Sequence, residues 1–527
     1  MTTTVNDQAS PQDALASEHR FGTGFYLALV TLSAAMGLAV EIIAGRMIAP
    51  YVGMSLYTWT AIIAVVLAGF SLGHWFGGRI AMLTAPRAAR SAGLALLGAA
   101  ATTAASLVLI RAITPALLAA NLGSVPTILV LTTLLFFAPS MFVGIPSPVL
   151  TKLAIDAAPG RMGHTLGLFY AAGALGSILG TLAAGYVMIS WLGTQLSLLV
   201  IAIAYAAMGL ALVAKAAHLG ARPVAGDLAK PLGALLLLAA AGAAAAHRFD
   251  ALVPSCAVES QYYCLRIDDV SANVGAEARV LVLDHLAHGI NVRDAADALV
   301  SPYAALQSAL IETHLTTAAT MRAFFVGGGA YTVPRALSHR FPAARIIVAE
   351  IDPAVTGVAR QHMWFEPGPS IHIRHLDARR ALAALPAGSL DVVVGDAFHD
   401  IAVPPHLVTR EFMSLVAQRL DAGGIYVMNV VDSSRSPRLA ASLAATLEGL
   451  FPVVELWSER DDGNTSRRST MVLFAGPRSS PASRLTLGDG TVWERWTNER
   501  VAKAAAGLGA MVLTDDFAPV DRIIGVE

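Results

Sequence analysis

Seven stretches of about twenty apolar residues, at roughly 23–45, 56–78, 91–110, 125–150, 164–190, 193–214 and 231–247, constrain this chain more than any other feature. A helix rising 1.5 Å per residue needs about twenty such residues to cross the hydrocarbon core of a bilayer. Lipid offers no partners to the backbone, so a single apolar segment that crosses must be helical. The stretch at 231–247 is short and rich in alanine. Charge changes sharply along the chain: residues 21–247 carry thirteen Asp, Glu, Lys and Arg, whereas 251–527 carry fifty-four. The sequence thus predicts a polar tail over 1–22, a polytopic all-α membrane domain of about seven helices over 23–250, and a soluble half beyond. The tail lacks the basic start and small-residue cleavage site of a removable leader, so the first span is expected to stay in the bilayer. The expected location is the cell inner membrane, as a multi-pass protein with lipid as one partner.

Within the spans, Gly69, Gly73, Gly173, Gly176 and Gly180 recur at spacings that let helix backbones approach closely. Pro139, Pro146 and Pro148 interrupt the fourth span, and backbone freed from a helix there must be buried in protein or face water. Glu41 and Arg46 near the end of the first span are costly in lipid unless paired or hydrated. They read equally as the lining of a polar cavity and as a structural ion pair. His74 and His164, near span ends, read as ordinary interfacial histidines.

The soluble half carries about thirty acids against twenty-four bases, with no basic stripe, so nucleic acid is not an expected partner. Its pattern is a small β-rich subdomain and linking helix over 251–320, then strands alternating with helices over 321–527. Strands are expected at 278–284, 323–326, 345–350, 371–375, 390–394 and 424–428, with helices at 303–316, up to 340, and 353–361. Such alternation gives an α/β Rossmann-like domain, a parallel sheet with helices on both faces.

Ligands of these sheets bind at the carboxyl ends of the strands. Gly327, Gly328 and Gly329 follow the first strand of the alternation, where a glycine turn lets backbone approach a ligand. Glu350 ends the next strand, about twenty residues on, where an acid accepts from ribose hydroxyls. Asp377, followed by Ala378, ends the third and is placed to accept from an exocyclic adenine amine. The fourth strand ends at Asp396, a carboxylate able to act as general base, in a segment that also holds His399 and Asp400. Phosphate-loop, zinc-spaced and nucleophile-elbow patterns do not occur, and no metal is implied.

These residues lie in motifs that resemble the spermidine synthase (polyamine aminopropyltransferase) family over about 255–525. The motifs are Val326-Gly-Gly-Gly329, Val348-Ala-Glu-Ile-Asp-Pro353, His375-Leu-Asp-Ala378 and Asp391-Val-Val-Val-Gly-Asp396. With the apolar half the chain looks most like the membrane-fused branch, as do Pro404-Pro-His-Leu-Val-Thr-Arg-Glu-Phe412 and Leu513-Thr-Asp-Asp-Phe-Ala-Pro519. The resemblance implies a co-substrate derived from S-adenosylmethionine, decarboxylated or not. Gly327–Gly329, Glu350, Asp377 and Ala378 would hold it, Asp396 would be catalytic, and Tyr303, His399 and Asp400 would face a small-molecule amine. The family's acid after the glycines is Ala330 here, its Tyr-His-Glu is Tyr303-Ala-Ala305, and its second acid at the fourth strand is His399. The nucleoside half of the pattern is kept and the acceptor half rewritten. Two rivals follow: transfer of another group, such as methyl, to a membrane-borne acceptor, and a non-catalytic polyamine or nucleoside sensor or transporter. A homodimer is an open option for assembly.

Membrane side is contested. Seven spans put Arg79, Arg87, Arg90, Lys152, Arg161, Lys215, Arg222 and Lys230 with the N-terminus, against Arg46 and Arg111 opposite. The positive-inside rule then sends the soluble half outside. The two cysteines, Cys256 and Cys264, are able to pair there. Activated nucleoside donors are made in the cytoplasm, however, and that is the side the sequence reading adopts.

Overall fold

The computed structural model describes residues 11–158, 160–219, 233, 237, 240–315, 320–398, 403–460 and 468–524. His399, Asp400 and part of the 231–247 stretch (231, 232, 234–236, 238 and 239) lie outside them. The chain forms two compact units, one reaching to Val52 and resuming over Tyr57–Pro254, the other taking Gly53–Leu56 and the chain from Ser255.

The first unit is helical: α1 (Pro11–Val52), α2 (Leu56–Ala81), α3 (Ala85–Ala119), α4 (Ser124–Thr132), α5 (Ala138–Gly144), α6 (Pro146–Ala157), α7 (Met162–Ala183) and α8 (Ile189–Leu219). Wide turns at Thr133–Phe137 and Ala184–Met188 link α4 to α5 and α7 to α8. Five continuous apolar stretches, Thr23–Val52, Leu56–Ala81, Ala85–Ala119, Ser124–Ala157 and Met162–Ala217, are long enough to cross a membrane by length and composition. The last has 56 residues, about 84 Å of helix at 1.5 Å per residue. It is broken at Gly193, whose φ of 72° and ψ of 173° are not helical, where two separate spans are expected from the sequence. The prolines of the fourth span sit in the first turns of α5 and α6, but Phe137 and Ile145 before them keep helical φ and ψ, so each proline removes a backbone donor from one continuing helical run.

Glycines set the helix pairs. A Cβ on Gly180 would lie 1.9 Å from the Ala35 carbonyl oxygen, and one on Gly176 would lie 2.2 Å from that of Thr31. Gly69 and Gly73 meet Phe137 and Met141 in the same way. Gly173, by contrast, has only a Val30 methyl at 3.8 Å. Gly180→Ala is therefore expected to lower the thermal unfolding midpoint of the detergent-solubilised protein, a cost of about 1–3 kcal/mol for overpacking. Gly185→Ala, with nothing within 4 Å of the new methyl, is the control, and equal midpoints would exclude the α1–α7 contact. A cavity of about 800 Å³ among α1, α2, α6 and α7 is lined by Ser33, His74, Ser147, Thr151, Lys152 and Tyr170 with apolar neighbours. Neither Glu41 nor Arg46 lines it.

The second unit holds two sheets. The smaller is an antiparallel meander, β1 (Val258–Glu259), β2 (Cys264–Asp269), β3 (Ala278–Leu283) and β4 (Leu286–Val292). A Cys256–Cys264 disulfide closes its first hairpin. The larger has nine strands in the order β12-β13-β10-β11-β9-β8-β5-β6-β7. β5 (Arg322–Val326), β6 (Arg345–Ala349), β7 (Ile371–Arg374), β8 (Leu390–Gly395) and β9 (Leu420–Ser433) are parallel. Phe324, Phe325, Val392, Val393 and Val394 are buried on both faces of the central strands, as expected when helices cover each side. β10 (Val453–Glu459), β11 (Arg468–Gly476), β12 (Arg484–Thr486) and β13 (Val492–Arg495) add an antiparallel wing beyond β9.

Candidate active site

Strand order reverses between β5 and β8, since β6 and β7 lie on one side of β5 and β8 and β9 on the other. Loops leaving the two strands on either side of such a switch diverge and open a crevice. Gly327–Gly329 leaves β5 there. Gly327 has φ 96° and Gly329 φ 52°, backbone that residues with a Cβ seldom adopt. A Cβ on Gly327 would meet the Asp396 carbonyl oxygen at 2.9 Å, and the Asp396 N–H donates to the Val326 carbonyl at 3.0 Å. The two strand exits thus touch. Tyr331, also left-handed at φ 57°, anchors the turn by stacking on Phe365 at 4.1 Å and sharing a 2.6 Å hydrogen bond with Thr356. β4 walls the other side, where Asn291 Nδ2 donates to the Ala330 carbonyl at 2.9 Å and accepts through Oδ1 from the Thr332 hydroxyl.

Glu350, following β6, is 6% exposed. Its Oε2 accepts from the N–H of Gly328 at 2.8 Å and of Gly329 at 3.4 Å, and its Oε1 from that of Asp352 at 2.9 Å. Burial raises its pKa, against those N–H groups, which favour the carboxylate. Asp352 caps the Pro353–His362 helix and takes the Ser260 hydroxyl, so the disulfide-closed hairpin of the small sheet steadies the Glu350 turn. Asp377, after β7, caps the helix that begins at Ala378 by accepting from Arg380 N–H at 3.0 Å. His406 Nε2 lies 2.8 Å from its other oxygen. Burial pushes Asp377 up, but His406 and the amides outweigh it and hold the carboxyl below its ordinary range. Beside it Arg379 grips Asp515 with both nitrogens at 2.8 and 2.6 Å. That pairing and the Thr409 hydroxyl hold Asp515 down at about 2.

Asp396 stands at the end of β8, where Asn429 Nδ2 of β9 donates to Oδ1 at 2.9 Å. Burial pushes its pKa up to about 7 in spite of that bond. Tyr303, on the Pro302–His314 helix, reaches the His288 carbonyl at 3.5 Å. Burial and then the Asp396 carboxylate push its pKa upward, so the two groups lie within electrostatic reach. The structure therefore brings Gly327–Gly329, Glu350 and Asp396 into direct contact or one turn, with Tyr303 facing Asp396 and Asp377 at the neighbouring strand end. His406 and Asn429, the partners of two of these acids, escape the sequence reading. His406 stands inside the Pro404–Phe412 phrase and Asn429 inside the fifth strand, and neither has a local pattern that marks it.

An open doubly wound sheet, a glycine turn after its first strand and acids at the next three strand ends define a Rossmann-like α/β unit. Within that class, the chain is 33% identical over 116 residues to a polyamine aminopropyltransferase of Vibrio vulnificus, covering 22% of this chain and 39% of the relative. It is 28% identical over 224 residues to a probable polyamine aminopropyl transferase of Bifidobacterium longum, covering 39% of this chain and 49% of the relative. The matches thus span less than half the length of either relative. A solved probable spermidine synthase from Corynebacterium glutamicum superposes with a TM-score of 0.44 at 24% identity, covering 50% of this chain and 97% of that one. No family model matches.

Proposed function

We propose that the chain is a membrane-integral transferase of the aminopropyltransferase type, using a donor derived from S-adenosylmethionine. The observation that carries this reading is the clustering of Gly327–Gly329, Glu350, Asp377 and Asp396 at four neighbouring strand ends around the switch point. The glycine turn admits a nucleoside edge, Glu350 offers carboxylate lone pairs to ribose hydroxyls, and Asp377 with Ala378 borders the base. Asp396 serves the acceptor. An amine nitrogen attacks the methylene carbon bound to the donor sulfonium, the C–S bond breaks, and the sulfur leaves as a neutral thioether. The nitrogen's surplus proton passes to Asp396. With a pKa near 7, that carboxyl suits proton transfer near neutrality. Asn429, fixed on Oδ1, orients it. Positioning of nucleophile and leaving group supplies most of the remaining acceleration.

Ala330, 1% exposed, offers no acid to a donor ammonium, which supports an acceptor or donor tail different from that of an ordinary spermidine synthase. Incubating the purified full chain with decarboxylated and intact S-adenosylmethionine, a mixed amine pool and lipid, then weighing products, separates the readings. An aminopropyl mass increment is the expected result. A methyl increment would replace it with methyl transfer, and binding without any product would make the chain a sensor.

A further inference from the structure

We infer that this site works on the extracytoplasmic side of the membrane and takes a nucleoside or amine present there, an inference that rests on reading α1–α8 as membrane helices and on the nucleoside reading of the site. The helices fix their own directions without residues 220–232. α1 leaves from the N-terminal face. Three residues join α1 to α2 and three join α2 to α3, so α2 returns and α3 ends on the far face. α7 runs with α1, because Gly176 meets Thr31 and Gly180 meets Ala35. α8 runs against α3, because Gly93 meets Val213 and Gly209 while Leu97 meets Gly209. The Gly193 break therefore falls on the far face.

The end of the unit is tied to that same face. The Val253 carbonyl accepts from Arg111 Nη2, late in α3, and from Gln195 Nε2, two residues past the break, both at 2.8 Å. The chain leaves the unit opposite its N-terminal face. Parity no longer depends on counting apolar stretches.

Two independent observations then choose the side. The N-terminal face carries Arg79, Arg87, Arg90, Lys152, Arg161 and Lys215 at its helix ends, and the far face Arg46, Arg111 and Arg248. Basic ends stay in the cytoplasm, which sends Ser255 and everything after it outside. Three residues beyond Val253, the disulfide Cys256–Cys264 begins, and such bonds persist in oxidising compartments. The result is the reverse of the side that donor supply favours. A sulfonium donor made in the cytoplasm reaches this site only after passing the bilayer.

The native chain has no free cysteine among its described residues, so single added thiols report topology in the full-length protein. Arg87 lies in the first turn of α3 and Lys503 on the outer helix of the soluble unit, both exposed. In intact spheroplasts of a bacterial host, a membrane-impermeant maleimide is expected to label Lys503→Cys at once and Arg87→Cys only after permeabilisation. Gly488→Cys, at an open position, repeats the outer test if Lys503→Cys fails to accumulate. The reverse labelling pattern overturns the inference, as do two free thiols in the native chain after alkylation under denaturing conditions. Methylthioadenosine binding is measured separately on purified protein. Expected labelling without binding removes the nucleoside reading and keeps the orientation, whereas binding with reversed labelling does the opposite.

Discussion

Asp396→Asn is expected to reduce turnover by about a hundredfold or more, the usual scale for a positioned acid or base, while leaving methylthioadenosine affinity unchanged. The amide keeps the shape of the carboxyl and an oxygen for Asn429 Nδ2, so the bond at 2.9 Å survives and only proton acceptance is lost. With a pKa raised to about 7, the native carboxyl is protonated below neutrality and ionised above it. A group that accepts the acceptor's proton must be ionised, so kcat/KM should rise through a limb near pH 7, and Asp396→Asn should remove that limb. Stability gives an independent check. The carboxyl has an ordinary value of 3.8, so between about pH 4 and 7 the folded chain holds a proton that the unfolded chain has released, and stability falls as pH rises. The variant should lose that slope in unfolding midpoint. Normal turnover in Asp396→Asn would end the assigned mechanism.

What the sequence reveals here is what is local. β5, β6, β7 and β8 show as short apolar runs followed by Gly or an acid, and their ends fall within a residue or two of the expected positions because apolar burial and turn chemistry act over neighbouring residues. β9 is harder, since it starts at Leu420 with Asp421, Gly423 and Gly424, residues that suit a turn, and the ladder skips them: pairing with β8 jumps from Leu420 to Ile425, and β11 joins only from Tyr426. The wing β10–β13 leaves little signal, because its strands gain stability from partners that are remote in sequence, as in Asn429 opposite Val472. The same limit hides the second partners of the acids. Asp377 caps a helix within three residues, which is readable, but its His406 contact lies 29 residues away and the Asn429 contact of Asp396 lies 33 away. Cys256 and Cys264 are legible as a pair by their count alone. That the hairpin they close seats Ser260 on Asp352, and so steadies Glu350, is a matter of tertiary placement.

Glu350→Gln should weaken methylthioadenosine by about tenfold or more, since a lost hydrogen bond to a charged group is worth about 1.5–3 kcal/mol. Part of this loss belongs to the protein alone. The carboxylate accepts from Gly328 on one oxygen and from Asp352 on the other, and an amide has only one oxygen, so one of those N–H groups would face an NH₂ donor. A disturbed glycine turn would then mimic a lost ribose contact. The ligand separates the two effects. If Glu350 accepts from the ribose hydroxyls, a deoxyribose analogue should already bind the native chain more weakly, and Glu350→Gln should weaken that analogue less than it weakens methylthioadenosine. Equal losses for both ligands by calorimetry would mean that Glu350 only shapes the turn, and no measurable loss for either would remove it from the site.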